Sequence, residues 1–282
     1  MYIIDPHIHM IARPTADYER MARMHCVACC EPAFWAGYDR TSPQAFHDYF
    51  THITSFEPTR AAKYGIQHYA WVGMNAKEAN DVEFSKEVIA YLPEFLAKPT
   101  VLGIGEIGLN KNTAQEIKTF EIQVDFAVKH KQMILIHTPH LSDKRKGVRI
   151  MLACLRQWRD IDPSQVMFDH LEEHVIAEVL DAGYWAGLTL YPLTKNTPPR
   201  AIDAIERYGV ERICIDTSGD WGPSDPVLLH DAIFEMRRRG HAEESIETVF
   251  YNNPCYFLGQ CPKFKLKPTR PQRQAWHFHR GR

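Results

Sequence analysis

The chain has 282 residues, which suits one (β/α)8 barrel of roughly 250 residues or a pair of small domains. It is 45% hydrophobic and 24% charged with a net charge of −2, which excludes a disordered polyelectrolyte and gives no global attraction to nucleic acid or anionic lipid. No run approaches the ~18 apolar residues of a membrane span, and MYIIDPHIH has neither the basic nor the apolar stretch of a secretory signal, so a cytoplasmic location is expected.

Taken in chain order, short apolar runs alternate with helical patterns. The runs are 2–5, 26–30, 67–73, 101–106, 133–137, 166–170, 184–190 and 212–217. Most are continuously apolar, as strands covered on both faces must be. Helices are expected over 16–24, 77–96, 113–131, 144–158, 173–182, 199–208, 225–239 and 245–257. Within 113–131, Ile117, Phe120, Ile122, Val124 and Val128 fall at mostly helical intervals. Strand-helix alternation implies parallel strands with right-handed crossovers. A closed eight-stranded α/β TIM barrel is the expectation, with a doubly wound open sheet as the alternative. No glycine-rich phosphate loop follows a strand to support the latter.

Residues 31–64 depart from the alternation and are rich in aromatics, among them Phe34, Trp35, Tyr38, Phe46, Tyr49, Phe50 and Phe56. They either cap a site at the barrel mouth or pack against its side. The seven cysteines are odd in number, and 26–30 reads as a strand, so reduced, buried thiols are expected. One domain over 1–262 is expected, followed by a partly disordered tail, 263–282, that holds seven Lys and Arg and no acid.

Barrel active sites form at the C-terminal ends of the strands. The first run ends in Asp5-Pro6-His7-Ile8-His9, where alternation puts both imidazoles on one side. The fourth ends in Gly105-Glu106-Ile107-Gly108-Leu109, with a carboxylate able to bridge two cations. The fifth ends at His137 and the sixth at His170, and the eighth reads Asp216-Thr217-Ser218-Gly219-Asp220-Trp221. A mixed nitrogen and oxygen set suits Zn, Mn, Fe, Co or Ni better than Ca, and it is too large for one tetrahedral ion. Two divalent metal ions sharing a carboxylate fit it.

These motifs, D-x-H-x-H at Asp5–His9, G-E-I-G-L at Gly105–Leu109, and the later His137 and His170, resemble the TatD family of metal-dependent hydrolases within the amidohydrolase superfamily. The resemblance covers about residues 1–260 in order and spacing. It implies that His7, His9, Glu106 and a late Asp hold one metal. Glu106, His137 and His170 would hold the other, and the late Asp would take a proton from the attacking water.

The family's late acid falls here on Ser218. Asp220, after a glycine that lets the chain turn inward, is the expected ligand and base, with Asp216 as the rival. A phosphate-contacting Arg after the fifth-strand His is replaced by His137-Thr138-Pro139-His140, leaving His140 or the Lys144-Arg145-Lys146 cluster to substitute. Glu172 and Glu173 beside His170 would repel a phosphodiester. His140, His174 and Trp221 are the expected substrate contacts.

The function expected is hydrolysis of a small-molecule ester, phosphoester or amide by a binuclear centre. A deoxyribonuclease using the basic tail and a non-catalytic metal-binding scaffold are the alternatives. Nucleic acid is the lesser expectation as a partner, and no membrane partner is expected.

Overall fold

The computed structural model describes residues 1–140 and 143–270. All eight expected strands form: β1 Ile3–Asp5, β2 Cys26–Pro32, β3 Gln67–Val72, β4 Val101–Gly108, β5 Met133–His137, β6 Val166–Asp169, β7 Trp185–Thr189 and β8 Ile213–Asp216. They pair in parallel, in sequence order, as one sheet. The β8–β1 seam is stitched just past the strands. There Ser218 N donates to the His7 carbonyl at 2.7 Å and His9 N donates to the Gly219 carbonyl at 2.9 Å. The fold is therefore the (β/α)8 barrel and not the open sheet.

The apolar runs separate into two layers with the strand period of two. In β5, Met133 and Leu135 pack inside the barrel, while Ile134 and Ile136 face the helices. His137 continues the inner row at the mouth. The same alternation puts Met167 then Asp169 inside on β6, and Cys214 then Asp216 inside on β8. All seven cysteines are free and buried, as expected.

Eleven of the helical segments surround or close the barrel after α1 Thr15–Arg23: α2 Pro43–Thr51, α3 Glu57–Ala62, α4 Val82–Ile89, α5 Leu92–Leu96, α6 Ala114–Lys129, α7 Lys144–Leu155, α8 Ile176–Asp181, α9 Pro198–Tyr208, α10 Leu228–Arg238, α11 Glu243–Glu247 and α12 Asn253–Leu258. Two expectations need correction. The single helix over 77–96 is two, α4 and α5, because Pro93 has no N–H to continue the ladder and fits only at a helix start. The stretch 31–64 is mostly helical, beginning where the Ser42 side chain caps α2 and passing through a π turn, His52–Phe56, into α3. Its aromatics divide accordingly. Phe46, Tyr49 and Phe50 pack in the outer core, Phe34 and Trp35 reach the mouth, and Tyr38 and Phe56 are exposed.

The opposite end is plugged by α12. Phe257 stacks on Trp71 at 5.9 Å between ring centroids and meets Trp185 at 5.6 Å. Asn253 Nδ2 donates to the carbonyls of Val210 and Ile213, tying the plug to the start of β8. The basic segment does not leave the barrel at 263. Phe264 is buried against Tyr69, and Lys263 Nζ donates to the Val101 carbonyl at 3.0 Å, because the open floor offers apolar surface and free carbonyls. Residues 271–282, the rest of the expected tail, lie outside the described residues.

Candidate metal centre

Five of the expected ligands converge at the barrel mouth. His7 Nε2 lies 3.1 Å from His9 Nε2 and 3.6 Å from Glu106 Oε2. The other oxygen of Glu106, Oε1, lies 2.7 Å from His137 Nδ1 and 2.8 Å from His170 Nε2. One carboxylate thus faces two separate pairs of imidazoles. Each trio has its ligand atoms within 4.8 Å of one another. His7, His9, Glu106 and His170 are buried, and His137 is nearly so.

Local sequence explains the convergence. Gly108, with φ +150°, lies so close to the His137 carbonyl that a Cβ would sit 2.1 Å from it, so only glycine lets β4 approach β5 there. Gly187 on β7 leaves the space that the Asp169 carboxylate fills. His170 turns into the mouth with a left-handed φ of 60°.

Asp169, not singled out from the sequence, orients the set. Its Oδ2 accepts a short hydrogen bond from His7 Nδ1. Its Oδ1 accepts from the His170 N–H at 2.5 Å and from the Thr189 hydroxyl at 3.1 Å. The proton count follows. The single hydrogen of Thr189 Oγ1 goes to Asp169, so His170 Nδ1, 2.7 Å away, must donate to Thr189. His170 Nε2 is then bare and faces a carboxylate oxygen at 2.8 Å. His7 Nδ1 donates to Asp169; burial pushes this imidazole down, but Glu106 and Asp169 outweigh it and raise it, so its Nε2 is bare only when a metal cation takes the place of the second proton. Lone pairs opposed at such distances repel unless a cation is shared between them, so these residues fit a divalent metal. Burial and neighbouring cationic groups hold His9 and His170 well below the ordinary imidazole value, in the neutral form a metal requires. Burial pushes the Glu106 carboxyl up, but the neighbouring His7 and His137 rings outweigh it and bring it below its ordinary value.

The late acid is different. Ser218 occupies the expected ligand position, its Oγ 3.5 Å from His9 Nε2. Asp220 lines the same pocket but belongs to neither trio of ligand atoms. Its Oδ1 accepts from the Tyr191 hydroxyl at 2.9 Å and from Gly222 N at 2.6 Å. The turn after Gly219 carries it along the rim and not into the barrel, so the geometry does not support Asp220 as a metal ligand. Asp216 points into the barrel below the site. Burial and the adjacent Asp169 and Asp5 carboxylates push its carboxyl well up.

The pocket has a volume of about 400 Å³. His140 and Trp221 line it, with Phe34, Trp35 and Tyr191 as further aromatic walls. Phe34 stacks on His9 at 3.8 Å and lies 5.5 Å from Trp221. His174 is not part of the lining; it is exposed, beside Glu172 and Glu173. Those two carboxylates do not guard the mouth either. Arg200 binds both, and Lys144 approaches Glu172 at 3.3 Å. Lys144 is itself buried under the His170 carbonyl, and Arg145 holds the His174 carbonyl, so these two members of the cluster fix a loop instead of offering a phosphate contact. Sequence reasoning also missed Lys195, which lines the pocket from the loop after β7.

The family model described as TatD related DNase matches residues 4–232. An uncharacterised metal-dependent hydrolase of Methanocaldococcus jannaschii is 28% identical over 259 residues, spanning 89% of this chain and 97% of that protein. Among solved structures, a TatD-like protein from Archaeoglobus fulgidus superposes with a TM-score of 0.69 at 24% identity, covering 87% of this chain and 98% of that one. The phosphotriesterase homology protein from Escherichia coli, complexed with phosphate in its active site, gives 0.64 at 16% identity, covering 91% and 98%. These two likenesses speak for the barrel. No described helix is long and apolar enough to cross a membrane. With the barrel and a family match over most of its length, this chain belongs to the TatD-related DNase family and is a metal-dependent hydrolase.

Proposed function

We propose that this enzyme binds two divalent cations, His7, His9 and Glu106 holding one and Glu106, His137 and His170 the other, and hydrolyses an ester, phosphoester or amide bond in a small molecule. The observation that carries this reading is Glu106, whose two oxygens face different imidazole pairs. When bound, such a pair of ions lowers the pKa of a water towards neutrality and polarises the scissile bond. Zn, Mn, Fe, Co and Ni all suit the ligand set.

The chain's own residues do the rest. Asp169 and Thr189 fix the tautomers of His7 and His170 so that their bare nitrogens face Glu106. Asp220 accepts the proton of the attacking water from the rim. The Tyr191 hydroxyl and Gly222 N–H hold one oxygen of its carboxylate in place. Trp221, His140 and the other pocket walls enclose the substrate and exclude bulk water. A cavity of about 400 Å³ matches a small ligand, which favours this reading over cleavage within duplex DNA.

The test joins metal analysis to a screen of phosphoesters, esters and amides with each of the five metals. Two ions per chain are expected, falling in His7→Ala and in His137→Ala. Asp220→Asn should lower kcat by about 10²–10⁴-fold with metal content retained. A single ion per chain would sink the binuclear assignment. Activity surviving in Asp220→Asn but lost in Asp216→Asn would move the base into the barrel.

A further inference from the structure

An ammonium taken out of water needs a counter-charge or acceptors, because its desolvation is costly. Lys144 has them in full, donating to the His170 carbonyl and to Thr138 Oγ1 at 3.3 Å and facing Glu172. Lys195 does not. The residue is only 6% exposed and its backbone is pinned, with N donating to the Tyr191 carbonyl at 2.9 Å and O accepting from Arg200. Its Nζ makes no hydrogen bond or ion pair with a described residue and lies over the Tyr191 ring, 4.3 Å from the centroid. The side chain opens into the pocket that holds Glu106, His137 and His170.

The surrounding charges say what would complete it. Burial pushes the Lys195 ammonium below its ordinary value, and Glu106, Asp169, Asp216 and Asp220 oppose that by their field, but three of these carboxylates are engaged elsewhere. Glu106 faces imidazoles, Asp169 takes the His7 hydrogen, and Asp220 is held by Tyr191 and Gly222. At the rim, Lys77 Nζ sits 3.3 Å from the centroid of the Trp35 ring and adds positive potential. Glu172 and Glu173, the acids that would oppose an anion, are turned to Arg200.

We propose that Lys195 binds a negatively charged oxygen of the substrate, so that this site takes small anionic molecules whose charged group lies next to the bond being cut. The proposal rests on the hydrolytic reading above and narrows it. A neutral ester or lactone would leave the ammonium unpaired in a cavity emptied of water, whereas an oxyanion satisfies it. The aromatic walls Trp35 and Trp221 receive the uncharged remainder. Lys195 is a substrate-binding residue and holds no metal.

The probe is inorganic phosphate, titrated by calorimetry into metal-loaded protein. Wild type is expected to bind it. Lys195→Met should weaken binding by about tenfold or more, while Lys195→Arg stays within about threefold, both with unchanged metal content. Lys195→Gln is a second neutral variant should the first fold poorly. A variant-free arm reads acylation of Lys195 by peptide mass spectrometry, which phosphate should slow. Phosphate binding that ignores all these substitutions, or acylation that ignores phosphate, overturns the proposal. So does a metal-loaded wild type that binds no phosphate. If phosphate binds through Lys195 but no substrate is turned over, the hydrolytic reading fails and the lysine's role stands. If substrates are cleaved but phosphate ignores Lys195, the reverse holds.

Discussion

Ser218 shows how one side chain can change a site without changing its backbone. Its φ of 43° and its N–H bond to the His7 carbonyl keep the turn that presents a side chain to His9, yet the group presented is a neutral hydroxyl. Aspartate tolerates the left-handed region better than most residues. Ser218→Asp should therefore keep the turn and add an anionic ligand to the His7–His9 trio, tightening its cation by about tenfold or more. Competition with a coloured chelator measures this, and unchanged or weaker retention would show that the hydroxyl position does not face the ion. Asp169 is the complementary case, acting through the rings it orients. Outer partners of this kind are worth about 10–100-fold in metal affinity. Asp169→Asn should lose that much, with the far-ultraviolet spectrum unchanged, and full affinity in this variant would mean His7 is oriented by packing alone.

At the scale of elements, the loop that leaves β4 must turn sharply after presenting Glu106, and Glu116 organises it. Its Oε2 accepts the backbone N–H groups of Asn110, Lys111 and Asn112, and its Oε1 accepts from Asn80 Nδ2. Thr113 Oγ1 caps Glu116 N in return at the start of α6. Glu116→Ala leaves several part-buried donors without their shared acceptor and should cost about 2–4 kcal/mol, read as a fall in the denaturation midpoint. A loss under about 0.5 kcal/mol would mean water replaces the carboxylate.

Thr113 and the apolar spacing of α6 are visible in the sequence, as are all eight strands, since these depend on neighbours a few residues apart. His7, His9, Glu106, His137 and His170 were legible because each ends a recognisable strand. Asp169 was missed although alternation after Met167 puts it inside, because nothing local says that His7, 162 positions away, would need its oxygen. Lys195 was missed because burial of a lysine is decided by the walls around it. The expected repulsion by Glu172 and Glu173 failed likewise, since Arg200 comes from α9.

The whole barrel separates stability from chemistry by putting them at opposite ends of the strands. The floor is apolar and plugged, with Phe257 on Trp71 and Phe264 on Tyr69, whereas the mouth concentrates imidazoles, carboxylates and two ammonium groups. Removing the buried Phe264 ring should cost about 3–5 kcal/mol, a fall in Tm on the order of 10 °C. It should leave metal stoichiometry and turnover per folded molecule unchanged. Chelation acts from the other end. It removes turnover, and it lowers Tm only by the linkage of binding to folding, about 2.7 kcal/mol for each bound ion at a free ion concentration of about 100 times Kd. The packed core should keep the stripped protein folded. Because the two perturbations share no partners, their effects on stability should add within about 0.5 kcal/mol in a chelated Phe264→Ala protein. A larger deviation, or loss of metal in Phe264→Ala at temperatures where it is folded, would show that strand positions at the mouth depend on the plug at the floor.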